Sequence, residues 1–143
     1  MPIKRVAPEE ALDLVRNEGF VYLDVRSVPE FEQGHPEGAY NVPLMHMGPA
    51  GGSPNLDFLP VVEKRFAKDA GIVVGCRTAN RSEHAASLME RAGYSRLAIQ
   101  RAGFAGTRDF FGRLDPGWGP KGLPTSARAV PGRSWAELSG SAE

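Results

Sequence analysis

Cysteine is nearly absent from this chain of 143 residues: Cys76 is the only one, so no intrachain disulfide can form and its thiol stays available. A lone thiol fits a reducing compartment, and the expectation from sequence is the cytoplasm. The three histidines, His35, His46 and His84, are dispersed, which gives no metal-ligand spacing; no metal and no cofactor is expected. Charge of one sign is missing too. Seventeen basic residues balance seventeen acidic ones, which argues against nucleic acid or a membrane surface as the main partner. No apolar run approaches the length of a transmembrane helix. The opening "MPIKRVAPEE" lacks the apolar core of a signal peptide and is not an obvious transit peptide. What remains is an ordinary globular composition, 41% hydrophobic and 24% charged, long enough for one domain with a core that needs no staples.

Apolar periodicity alternates along the chain between strand and helix. A short strand is expected near residues 4–6, followed by a helix in "PEEALDLVRNEG". There Pro8 suits the first turn, Glu9 and Glu10 complement the helix dipole, and Gly19 terminates. "FVYLDV" at 20–25 and "AGIVVG" before Cys76 read as buried strands, and residues 96–99 as a further one. Between them, "LDFLPVVEKRFAKDAG" and "SEHAASLMERAG" have helical spacing. Residues 45–55 read as a flexible loop, and "FAGTRDFFGR" as a last short helix. Strands alternating with helices imply an α/β fold, a parallel sheet with helices on both faces that binds ligands beyond the carboxyl ends of its strands. Residues 1–124 form the expected domain. Residues 125–143 are small, polar and broken by Pro and Gly, so a weakly structured tail is expected there, with one helical turn near 135–138.

Cys76 falls on the tight loop between a buried strand and a helix, in "GCRTANRSEHAA". Backbone N–H groups of such a loop point inward and gather the positive end of the helix dipole, which stabilises a thiolate and any anion beside it. Arg77 and Arg81 add two permanent cations, and no acid stands between residues 76 and 82 to cancel them. The combination describes a nucleophilic cysteine facing an anionic substrate. The alternative is a small buried hydrophobe that ends a strand, with the arginines solvated.

Three segments together decide between them. "LDVRSVPEFEQGHPEGAYNVP", "CRTANRS" and "RAGFAGTRDFFGRLDPGWGPKGLP" resemble, in order, the signatures of rhodanese-like sulfurtransferase domains, the thiosulfate sulfurtransferase family. The resemblance spans roughly residues 3–124 and implies a single rhodanese-like domain, a five-stranded parallel sheet with helices on both faces. It implies that Cys76 takes a sulfane sulfur from thiosulfate or a related donor as a persulfide and passes it to cyanide or a thiol. Carried over residue by residue, the amides of Arg77, Thr78, Ala79, Asn80 and Arg81 cradle the transferred sulfur, and the Arg77 side chain faces the donor. Asp24 and Arg26 form a supporting ion pair. Glu30 and His35 serve turns and caps, and no general base is needed from His84.

Two positions depart from the family pattern. Ala79 replaces the usual glycine, and a φ > 0 there would strain the loop by about 1 kcal/mol. Ala102-Gly103 replaces a Gly-Gly pair. The enzymatic rival on the same fold is a phosphatase or arsenate reductase, whose loop carries one residue more; here four residues separate Cys76 from Arg81. The non-enzymatic rival is a sulfur-carrier or protein-interaction module.

Overall fold

A computed structural model describes residues 3–49, 51–78, 80–108 and 110–140. The chain runs β1 (Lys4–Val6), α1 (Pro8–Asn17), β2 (Val21–Asp24), α2 (Val28–Gln33), β3 (His35–Pro36), β4 (Tyr40–Asn41), β5 (Met45–Gly48) and β6 (Gly51–Pro54). It continues α3 (Phe58–Arg65), β7 (Gly71–Gly75), α4 (Asn80–Arg91), β8 (Arg96–Gln100), β9 (Gly106–Arg108), β10 (Leu114–Pro116), β11 (Thr125–Ser126) and α5 (Trp135–Leu138). The main sheet has five strands in the order β1-β8-β7-β2-β4, all parallel, as the α/β pattern implies. Strand β7 is its centre and is buried at every residue, which is why "GIVVG" reads as an unbroken apolar run rather than an alternating one.

Two-residue periodicity splits the core between the faces of this sheet. Ile72 and Val74 of β7, Leu97 and Ile99 of β8 and Leu23 of β2 join the cluster that includes Phe58 and Val62 of α3 and Met89 of α4. Val73, Ala98 and Tyr22, the residues between them, join Val6, Ala11 and Trp118 on the other face. Cys76 continues the Val74 register and belongs to the α4 side.

Three local expectations fail. Within the segment expected as a flexible loop, Met45–Gly48 and Gly51–Pro54 pair as antiparallel strands, β5 with β6. Backbone pairing builds it, so its glycine- and proline-rich sequence carries no side-chain alternation to reveal it. The segment expected as a last helix is a second hairpin, β9 with β10, with Phe110 and Phe111 exposed at its turn. Its apolar residues therefore mark a turn and not the buried face of a helix. The third concerns the tail, which is docked through residues 125–140. Strand β11 pairs with β3, Leu138 is 3% exposed inside the α3/α4 core, and Arg65 donates to the Leu138 and Glu137 carbonyls at 3.0 and 3.2 Å. Arg133 donates to the Gly38 carbonyl at 2.7 Å, and its own carbonyl accepts from Asn41 N at 2.9 Å. A single helical turn is too short for periodicity to show which face it buries.

Candidate active site

The loop carrying Cys76 leaves β7 and enters α4, a helix of 12 residues whose first turn brings Ser82 under the sulfur. Cys76 is 2% exposed, and its Sγ lies 3.4 Å from Ser82 Oγ. Ala79 lies outside the described residues, so the expectation attached to it has no structural counterpart.

The closing segment grips the loop from one side. Phe104 N donates to the Cys76 carbonyl at 2.7 Å, and Ala105 N to the Arg77 carbonyl at 2.9 Å. Gly103 makes this approach possible. It has φ +71°, and a Cβ there would run into the Arg77 carbonyl and come within 2.8 Å of Thr78 N. Ala102, the first residue of the altered pair, does not adopt positive φ, so it tolerates its methyl group. Buried Gln100 sets the turn: its Oε1 accepts from Ala102 N and Gly103 N at 2.8 and 2.9 Å, and its Nε2 donates to the Gly103 carbonyl at 2.7 Å.

Helix α2 holds the loop from the other side. Arg81 makes a two-pronged pair with Glu30, Nη1 to Oε1 at 2.7 Å and Nη2 to Oε2 at 3.0 Å. Glu30 also accepts from Ser27 N and Oγ at 3.1 and 2.8 Å, capping α2. Burial pushes the Glu30 carboxyl up, but the hydrogen bonds from Arg81 and Ser27 outweigh it and hold the group at about 2. The same pair raises Arg81. One of the two loop cations is thus neutralised by an acid from a distant element, which inspection of residues 76–82 could not reveal. Arg77 differs: its side chain is exposed and has no ion-pair partner among the described residues. It lines two clefts. The smaller, about 400 Å³, is shared with Arg26, Gln33 and Phe104; the larger, about 630 Å³, with Pro29, Met45, Met47, Gly52 and Arg81.

Asp24 and Arg26 form a buried pair at 2.8 Å where β2 ends, and Arg26 also donates to the Gly34 carbonyl at 2.6 Å and lies over the Phe104 ring. Asn41 donates to the Asp24 and Arg26 carbonyls, each at 3.0 Å. The pair thereby joins the sheet end to Phe104 and, through it, to the cysteine loop. Thr78 and Asn80 are exposed. His35 is buried, stacked on Phe31, with Nδ1 2.7 Å from the Phe31 carbonyl. His84 is exposed and lines a separate apolar groove with Leu44, Phe58 and Leu88. Sequence reasoning missed the partnership of Glu30 with Arg81, the turn built on Gln100 and the methionines of β5. No local motif connects these residues to Cys76; only the chain fold does.

A sequence profile described as "Rhodanese-like domain" matches residues 7–109. Thiosulfate sulfurtransferase 16, chloroplastic, of Arabidopsis thaliana is 41% identical over 109 residues, covering 76% of this chain and 82% of that protein. Rhodanese-like domain-containing protein 15, chloroplastic, of the same plant is 36% identical over 86 residues; the match covers 60% of this chain but only 47% of that longer protein. The crystal structure of Rv0390 from M. tuberculosis superposes with a TM-score of 0.73 at 26% identity, over 90% of this chain and 100% of that one. These relatives overturn the cytoplasmic expectation: both plant proteins are chloroplastic, as are rhodanese-like domain-containing proteins 9 and 14. A free thiol records a reducing environment and carries no address, which is why it misdirects. The profile match across most of the chain, the 41% identity and the shared sheet place this chain in the rhodanese-like domain family, whose sulfurtransferases act on sulfur donors and acceptors.

Proposed function

We propose that the protein is a sulfurtransferase of the thiosulfate sulfurtransferase type that moves a sulfane sulfur through a persulfide on Cys76. The Cys76 thiolate attacks the outer sulfur of thiosulfate or a related donor. A new S–S bond forms at Cys76, the S–S bond of the donor breaks, and sulfite departs with the electron pair of that bond. Attack by cyanide or a thiol on the outer sulfur of the persulfide then forms the product and returns the thiolate. The amides of residues 77–81 at the start of α4 receive the charge on the transferred sulfur, and Arg77 meets the incoming anion. Asp24 and Arg26 hold Phe104, and thus the loop, in place.

The observation that carries this reading is the pairing, on one loop, of the chain's only thiol with an exposed guanidinium that no acid among the described residues engages. Arg81, being committed to Glu30, is not turned toward a tetrahedral oxyanion, which disfavours the phosphatase or arsenate reductase alternative. Intact mass spectrometry after incubation with thiosulfate tests it: the protein should gain one sulfur, Cys76→Ser should gain none while staying folded, and cyanide should remove the added atom. A wild-type protein that never gains sulfur refutes the function. Gain without turnover to cyanide or a thiol would leave the sulfur-carrier alternative.

A further inference from the structure

We propose that one copy of this chain docks on another by inserting its Phe110–Phe111 turn into the apolar groove between the β5–β6 hairpin, α3 and α4. The most exposed large apolar side chains among the described residues are Phe110 at 96%, Leu56 at 87% and Phe111 at 81%. Two of them form a convex tip, and the third edges a hollow. The tip is the turn that joins β9 to β10, beyond the Arg108–Leu114 pair that closes the ladder. Its two rings meet edge to face with centroids 5.4 Å apart, and Leu114, 56% exposed, extends the apolar surface. A tip of this kind marks an interaction site, and a convex one needs a concave partner.

The same chain carries the hollow. Leu44, Phe58, Leu59 and Leu88 line a groove of about 430 Å³, with Leu56 at its edge. A cavity of about 150 Å³ holds one benzene ring, so there is room for two phenyl rings. The polar lining does not call for a polar ligand. Asn55 is already committed, its Nδ2 donating to the Pro43 carbonyl at 2.8 Å and its Oδ1 accepting from Asp57 N at 3.0 Å. His84, the titratable side chain that lines the groove, is itself aromatic and can pack against a phenyl ring. Charge complements the shape. Asp57, between Leu56 and Phe58, is exposed, and its side chain accepts no cap hydrogen bond. Arg108, at the base of the tip, is also exposed, and donates to the Gly112 carbonyl at 2.8 Å rather than to an acid. Docking therefore sets an acid at the rim of the groove against a cation at the base of the tip. Area sets the strength. Two phenyl side chains bury about 150–250 Å² each and the groove a similar amount, so the contact stays under about 1,200 Å², in the weak and transient class. Tip and groove share no residue, so each copy can give a tip and receive one.

Sedimentation velocity reads the result. Between about 10 µM and about 1 mM, the range suited to so small a contact, the wild-type weight-average mass should rise. Phe110→Ser combined with Phe111→Ser removes the tip, and Leu59→Lys puts a charge into the groove. Each should weaken association at least about tenfold. Leu56→Lys makes the same test from an exposed position that folding does not depend on, and melting transitions report that every variant is folded. An equimolar mixture of the tip variant and a folded groove variant should associate again, because one retains a groove and the other a tip. A wild-type protein that stays monomeric across that range overturns the inference. Association that survives loss of the tip, or a mixture that fails to recover it, overturns it as well. So does Phe110-dependent binding to vesicles of phosphatidylcholine and phosphatidylglycerol by a protein that remains monomeric, which would assign the tip to a lipid surface.

Discussion

Replacing Gly103 by alanine tests how the cysteine loop is held. Gly103 has φ +71°, where a side chain costs about 1 kcal/mol. The added methyl group would also run into the Arg77 carbonyl and lie 2.8 Å from Thr78 N. Both are backbone atoms, so no side-chain swing relieves the clash. Residues 103–105 must instead withdraw from the loop, weakening the Phe104 N to Cys76 carbonyl and Ala105 N to Arg77 carbonyl bonds at 2.7 and 2.9 Å. Each contributes about 0.5–1.5 kcal/mol net, so the total loss should be about 2–4 kcal/mol. At about 3–5 °C per kcal/mol for a domain of this size, the melting temperature should fall about 6–20 °C. The cradle would shift with the backbone, and a displacement of about 1 Å costs roughly a hundredfold in rate. Gly112→Ala is the matched control: its φ is +79°, but nothing lies within 4 Å of the new Cβ. It should lose about 1 kcal/mol and leave sulfur transfer unchanged. Differential scanning calorimetry and thiosulfate-to-cyanide kinetics on both variants separate strain from collision. Equal melting temperatures for the two, with full activity in Gly103→Ala, would refute the grip of the closing segment on the loop.

The other predictions concern single contacts. Arg77→Ala should raise KM for thiosulfate about tenfold or more, the loss of one charge-assisted contact of about 1.5–3 kcal/mol; an unchanged KM would leave the loop amides alone holding the donor. Glu30→Gln should destabilise the protein at neutral pH by about 1–3 kcal/mol through the Arg81 pair. Because the folded-state value of Glu30 lies near 2, below its ordinary 4.5, its contribution is complete above about 4.5 and fades as pH falls toward 2. Melting curves of the two proteins should therefore converge on acidification, and a gap independent of pH would contradict the ion pair. Truncation after Pro124 should lower the melting temperature by 10 °C or more, since it removes the β11–β3 pairing and buried Leu138. A truncated protein that melts with the full chain would show that the docked segment adds nothing to stability.

The family and fold class were legible because they rest on local signals. "GIVVG" is apolar throughout because the central strand of a parallel sheet is covered on both faces, and "CRTANRS" follows it at the strand's carboxyl end, where the helix dipole points. Cys76, Arg77 and Arg81 could be picked out by residue type and position on the loop, whereas Asp24 and Arg26 came with the family resemblance. Tertiary structure decided which of these charges remains available. Glu30 lies 51 residues from Arg81, and only the packing of α2 beside the start of α4 brings carboxylate and guanidinium together. The hairpins were hidden for a related reason: backbone pairing across glycines leaves no period for side chains to display. The last segment was hidden because one buried leucine on a four-residue helix has no pattern. Local sequence thus determined the candidate nucleophile and its strand–helix loop, whose physics operates over a few residues. The charge of the site, the clefts around it and the grip on its loop depend on residues far apart in the chain, and only the fold could place them.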